Sequence, residues 1–150
     1  DITKLKVCAK VDFCTAVNDC LNYVPKTKLK SAFARVYAAL NANGAFLFDI
    51  SSENKIRNIL GENLFGEDGK NISYLWFNRQ TDYGVVMELT FFVRNESGLY
   101  ERFEETHVQY AHTEDEVIKA LYAAGFARVQ TEGHLGGDKS QRIQFAAFKR

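Results

Sequence analysis

Three groups of residues in this chain have side chains suited to chemistry. The first is Asn18, Asp19, Asn22 and Tyr23, which follow directly on the apolar and β-branched run 13–17. A run of that kind suits a strand buried on both faces. Polar groups just past such a strand's carboxyl end stand where open α/β sheets bind their ligands. The second group, Asp49, Ser51 and Ser52, repeats the arrangement at the end of a second apolar run, 45–50. The third lies on an unusually polar alternating segment, where Leu99, Glu101, Phe103, Glu105, His107 and Gln109 share one face. Glu105 and His107 there are either cross-strand partners on a solvated face, the commoner use, or a polar pocket wall able to move a proton.

Composition narrows the alternatives. A chain of 150 residues with 46% hydrophobic and 25% charged residues is one domain with a real core. Nineteen basic residues balance nineteen acidic ones, so no net field points to nucleic acid or an anionic membrane. No apolar run reaches the roughly 20 residues of a membrane span, and no signal peptide opens the chain. Cys8, Cys14 and Cys20 are odd in number and lack CxxC spacing, which argues against a disulfide framework or a zinc site. They read as reduced, buried thiols of a cytoplasmic protein. The chain opens on Asp1 without a Met, about ten residues before its first strand, and is expected to be part of a longer polypeptide.

The elements that must position these groups follow from periodicity. Leu29, Phe33, Val36, Tyr37 and Leu40 form one helical stripe within 27–40. Asn41, Ala42, Asn43 and Gly44 are expected to end that helix, with Gly44 at positive φ. Strand, helix and second strand make a right-handed parallel βαβ unit. Ser51 or Ser52 is expected to cap a short helix from Glu53, and 61–70 reads as a loop. The period then changes, and 72–78, 83–94 and 99–111 read as antiparallel strands joined by a hairpin at Asn95, Glu96, Ser97 and Gly98. Thr113 and Glu116 form a capping box for a helix closed by Gly125. Strands over 126–132 and 142–149 flank a loop at 133–141.

Several blocks together resemble the carboxyl-terminal two-thirds of a class I S-adenosylmethionine-dependent methyltransferase. They are Val11, Asp12 and Phe13 leading to Asn18, Asp19, Cys20, Leu21, Asn22 and Tyr23; Leu40 and Gly44 leading to Phe48, Asp49 and Ile50; and Leu121 with Gly125 and Phe126. Tyr74 and Trp76, the segment 88–92 and the segment 100–107 resemble a bacterial subgroup with a small antiparallel lid. The resemblance implies a partial Rossmann-like α/β sheet, strands four to seven, in a single domain 1–150 with the lid inserted at 72–111.

It further implies S-adenosylmethionine as cofactor and a small-molecule methyl acceptor, with neither nucleic acid nor membrane as partner. Asp1, Asn18 and Asp19 would lie along the cofactor. Asn22, Tyr23, Asp49, Tyr74 and Trp76 would meet the substrate, and His107 or Glu105 would serve as base. Lid packing is an equal alternative for Tyr74 and Trp76, and a helix cap for Asn22. The glycine-rich turn and the acidic ribose-binding residue of the family are absent from these 150 residues, so the chain alone is expected to bind cofactor poorly and be inactive. An open strand edge is expected to favour self-association. Two other readings remain: a non-enzymatic binding or assembly module, and a nicotinamide-dependent enzyme, which the missing G-x-G-x-x-G disfavours.

Overall fold

The computed structural model of the chain describes residues 1–150. Strand β1 (Val11–Ala16) lies parallel to β2 (Leu40–Ser51), and helix α1 (Leu29–Ala39) makes the crossover between them. Helix α2 (Glu114–Ala123), β7 (Arg128–Gly133) and β8 (Arg142–Phe148) complete a four-stranded sheet of order β1-β2-β8-β7. The last strand inserts antiparallel between β2 and β7, with Phe48 opposite Phe145 and Asp49 opposite Gln144.

The core forms on one face of this sheet. Phe46, Phe48 and Ile50 of β2 pack with Phe145 of β8 against Phe33 and Val36 of α1 and Leu121 of α2. The rings of Phe48 and Phe145 stack at 4.8 Å. Thr113 and Glu116 make the expected capping box at the start of α2.

The opposite face is bare, and this corrects the reading of 13–17 as buried on both faces. Val11, Phe13 and Val17 are 40%, 54% and 64% exposed, because β1 is an edge strand that packs on the core only through its other face, at Cys14 and Ala16. The thiols are correspondingly not buried: Cys8 is exposed, while Cys14 and Cys20 are half-buried. The helix also ends differently from the expectation. Strand β2 begins at Leu40 itself, and the left-handed residue is Asn43 (φ 62°) rather than Gly44. Gly44 serves close approach instead, since a Cβ there would sit 3.1 Å from the Asp12 carbonyl oxygen.

Ser52 Oγ accepts from the Lys55 amide at 3.0 Å and starts a π-helical turn, Lys55–Leu60. A second sheet follows, of order β3-β4-β5-β6, antiparallel throughout: β3 (Leu64–Asp68), β4 (Ile72–Thr81), β5 (Gly84–Arg94) and β6 (Tyr100–Tyr110). Strand β3 falls in the stretch read as a loop; Gly66 and the acidic Glu67 and Asp68 masked a five-residue strand whose pairing comes from β4. A small core of Ile56, Leu60, Val85 and Met87 joins this sheet to the π-helical turn.

Candidate active site

The carboxyl end of β1 turns sharply. Asn18 and Asp19 both take left-handed backbone conformations (φ 58° and 49°), which Asn and Asp tolerate better than most residues. A 3-10 turn, Cys20–Tyr23, follows and buries Asn22 completely. Asn22 Nδ2 donates to the Ser51 carbonyl at 3.1 Å and the Tyr110 carbonyl at 3.0 Å, while Oδ1 accepts from the Ser51 amide at 2.9 Å. Its side chain ties the ends of β1, β2 and β6 together and keeps no donor for a ligand. Asn18 is exposed and has no side-chain hydrogen bond within the chain.

Asp19 and Asp49 meet at the same pole, on either side of Arg142 from the start of β8. Arg142 Nη2 donates to Asp19 Oδ1 at 3.3 Å, and Nη1 donates to Asp49 Oδ2. The Asp19 amide donates to Asp49 Oδ2 at 3.3 Å, and Ser51 Oγ to Asp19 Oδ2 at 3.4 Å. One cation between two carboxylates leaves the cluster a net negative charge, an environment that favours a cationic group nearby.

The second sheet roofs this pole through β6. Gln109 Nε2 donates to Asp19 Oδ2 at 2.7 Å. Two residues back on the same face, His107 Nδ1 lies 3.3 Å from the Tyr23 hydroxyl, and its Nε2 lies 3.0 Å from Glu105 Oε2. A hydroxyl, an imidazole and a carboxylate thus stand in series at the junction of the sheets. Tyr23 is 45% exposed, so this series opens to solvent rather than sitting in the core.

The register fixes which other lid residues share that face. Trp76 stands opposite Leu89, which stands opposite Glu105; Tyr74 stands opposite Phe91, which stands opposite Phe103. Trp76 packs on the small core beneath the sheet and donates from Nε1 to Asn78 Oδ1 at 2.7 Å. Tyr74 is half-buried, its ring 6.2 Å from that of Phe91. Asp1 is exposed and occupied locally, its Oδ1 accepting from the Thr3 amide and hydroxyl at 2.9 and 2.7 Å. No hydrogen bond links Asp1 to the Asp19 cluster.

Gln109 and Arg142 are the site's unforeseen members, and His112 is an unforeseen buried histidine beside it in sequence rather than in the site. Alternation puts Gln109 in line with Glu105 and His107, a signal present in the sequence. Arg142 carried none, since its partners lie 93 and 123 positions away. His112, fully buried where β6 leads into α2, has its Nε2 3.0 Å from the Val24 carbonyl. Burial pushes its pKa below the ordinary imidazole value, against the pull of that carbonyl and of Glu116. A groove of about 490 Å³ lies on the bare face of the first sheet and adjoins the cluster at Asp49, with Thr15, Leu47, Glu132 and Gln144 lining the rest.

No family model matches the chain. By sequence and fold, however, it is similar to S-adenosylmethionine-dependent methyltransferases. It is 31% identical to the "Putative methyltransferase" of Geobacillus sp. (strain WCH70), across 99% of the chain and 63% of that protein. It is 33% identical to "Putative methyltransferase YqeM" of Bacillus subtilis (strain 168), across 72% of the chain and 44% of that protein. An S-adenosylmethionine-dependent methyltransferase from Clostridium acetobutylicum superposes with a TM-score of 0.92 at 30% identity, over 99% of the chain and 62% of that structure. The chain thus spans less than two thirds of the length of the proteins it matches. No helix is long and apolar enough to cross a membrane.

Proposed function

We propose that the chain supplies the acceptor side of an S-adenosylmethionine-dependent methyltransferase acting on a small molecule, within one domain whose lid is the insertion 72–111. The observation that carries this reading is the junction of β1 and β6. There Gln109 meets Asp19, and the series of Tyr23, His107 and Glu105 opens beside an exposed Asn18.

These residues fit one end of the cofactor. The paired carboxylates with a single guanidinium suit a sulfonium or ammonium, and Asn18 has an unused amide on the exposed tip of the turn. When bound, the cofactor supplies an electrophilic methyl group on sulfur. The chain's own tasks are to hold the acceptor in line, which supplies much of the rate, and to accept its proton. His107 takes that proton, with Glu105 orienting the imidazole from Nε2 and stabilising the charged ring. Tyr23 and Tyr74 border the acceptor, Asp49 holds Arg142, and Asn22 positions the turn without touching the ligand. No glycine-rich turn followed by a ribose-binding acid occurs in these 150 residues, and the chain alone is expected to be inactive.

In the polypeptide that carries this chain, His107→Ala should lower kcat about 100-fold with KM for cofactor little changed. Glu105→Gln should lower it by about tenfold. Unchanged turnover in both variants would remove the assignment of a base at this junction.

A further inference from the structure

The face of the lid that turns toward the body has a charge pattern that the reading above leaves unused. Pairing places Glu67 of β3, Tyr74 of β4, Phe91 of β5 and Glu101, Phe103 and Glu105 of β6 on it. It is the inward face, because Gln109 and His107 of the same row reach Asp19 and Tyr23. Not one lysine or arginine of the four strands shares it. The outer face is balanced instead, with Arg79, Arg94 and Arg102 against Asp68, Glu88 and Glu104.

The aromatic part of the inward face is also partly open, with Tyr74 and Phe91 half-buried and Phe103 exposed. The end near Met87 and Trp76 is closed by Ile56 and Leu60, whereas Ile72 and Phe103 at the other end are 51% and 49% exposed. Aromatic rings with carboxylates around them and no competing cation attract positively charged groups through the ring quadrupole and the Coulomb field together. The same surface repels a carboxylate or a phosphate.

We infer that this patch binds an organic amine in its protonated form, so that the acceptor of the proposed methyl transfer, on which this inference rests, is an amine. The apolar body of the ligand would lie on Tyr74, Phe91 and Phe103, and the ammonium would face Glu105 beside His107, with Glu101 adding its field from further along the strand. The neighbouring His107 then has a defined task. An ammonium must first give up a proton, its N–H electrons becoming the lone pair. That pair forms the new N–C bond as the S–C bond of the sulfonium breaks, leaving a thioether and the methylated ammonium.

Titration of the isotopically labelled chain with 2-phenylethylammonium and, separately, with phenylacetate tests the inference without any methyl transfer. The expected result is that the ammonium shifts the ring signals of Tyr74, Phe91 and Phe103, while phenylacetate at tenfold higher concentration leaves them in place. Glu101→Gln combined with Glu105→Gln should weaken ammonium binding by about fivefold or more, and Arg102→Gln on the outer face should not weaken it. Equal binding of the two probes, ammonium shifts confined to other surfaces, or no ammonium binding would overturn the inference. Ammonium binding at this patch, with no methyl transfer by the polypeptide that carries the chain, would uphold the amine-binding patch and sink the proposed function together with the assignment of the amine as acceptor. Turnover of acceptors without ammonium binding would do the reverse.

Discussion

The two sides of the candidate cleft treat their polar groups in opposite ways. On the body side Asn22 and Asp49 are buried and Asp19 is largely so, and every one of these side chains is tied to a partner inside the fold. On the lid side Glu105 and His107 are 58% and 34% exposed, and they pair with each other at the surface rather than inside the fold. A polar residue at a strand's carboxyl end therefore has two uses that look alike in sequence. It either holds the pole together or faces the ligand, and only its partners distinguish them.

Substitutions can break or sharpen that contrast. The largest effect is expected at Asn22. Asn22→Ala strands the Ser51 amide and carbonyl and the Tyr110 carbonyl in a buried site, which should cost about 3 kcal/mol in urea unfolding. A loss below about 0.5 kcal/mol would show that the residue is free for a ligand after all. Arg142→Met should follow, at about 2 kcal/mol, because it leaves Asp19 and Asp49 facing one another without their shared cation. Equal stability of that variant would mean the carboxylates are solvated independently.

A pH effect of smaller size belongs to His112. Its folded pKa is lowered, so below about pH 6.5 the unfolded chain binds more protons and stability falls, by at most about 1.4 kcal/mol per pH unit. His112→Asn should flatten the change in Tm between pH 7.5 and 5.5. Glu114 and Glu116 act in a separate, more acidic window. Burial opposes their ionisation, but Lys139 with Thr131, and Lys26 with the Thr113 amide, outweigh it and lower both pKa values. Their contribution is present at neutral pH and lost as pH falls below about 4.5. The smallest stability effect is expected at the lid. Tyr74→Ala and Glu105→Gln should each change unfolding free energy by less than about 1 kcal/mol while lowering turnover, a split that variants of the buried Asn22 and of Arg142 cannot show.

How much of this was legible in the sequence depended on whether a signal was local. The parallel βαβ unit, the capping box at Thr113 and the antiparallel run from Ile72 all followed from periodicity and cap chemistry. Strand β3 did not, since its pairing with β4 overrides a glycine and two acids of low strand propensity. The exposure of β1 was hidden for another reason: an apolar run is the same whether one or both of its faces are covered. Asn22 was read as a ligand contact or a cap because its true partners, Ser51 and Tyr110, lie far along the chain. Arg142 was invisible on the same ground.

The central claim is that the turn after β1 and the inward face of β6 form one cofactor-facing site. Titrating the labelled chain with S-adenosylhomocysteine tests it most directly, even at the weak affinity expected of these residues alone. The account predicts shifts at Asn18, Asp19 and Cys20 that continue across the Asp19–Gln109 bond to Gln109 and His107. Shifts confined to Thr15, Leu47, Glu132 and Gln144 in the groove on the bare face would contradict it.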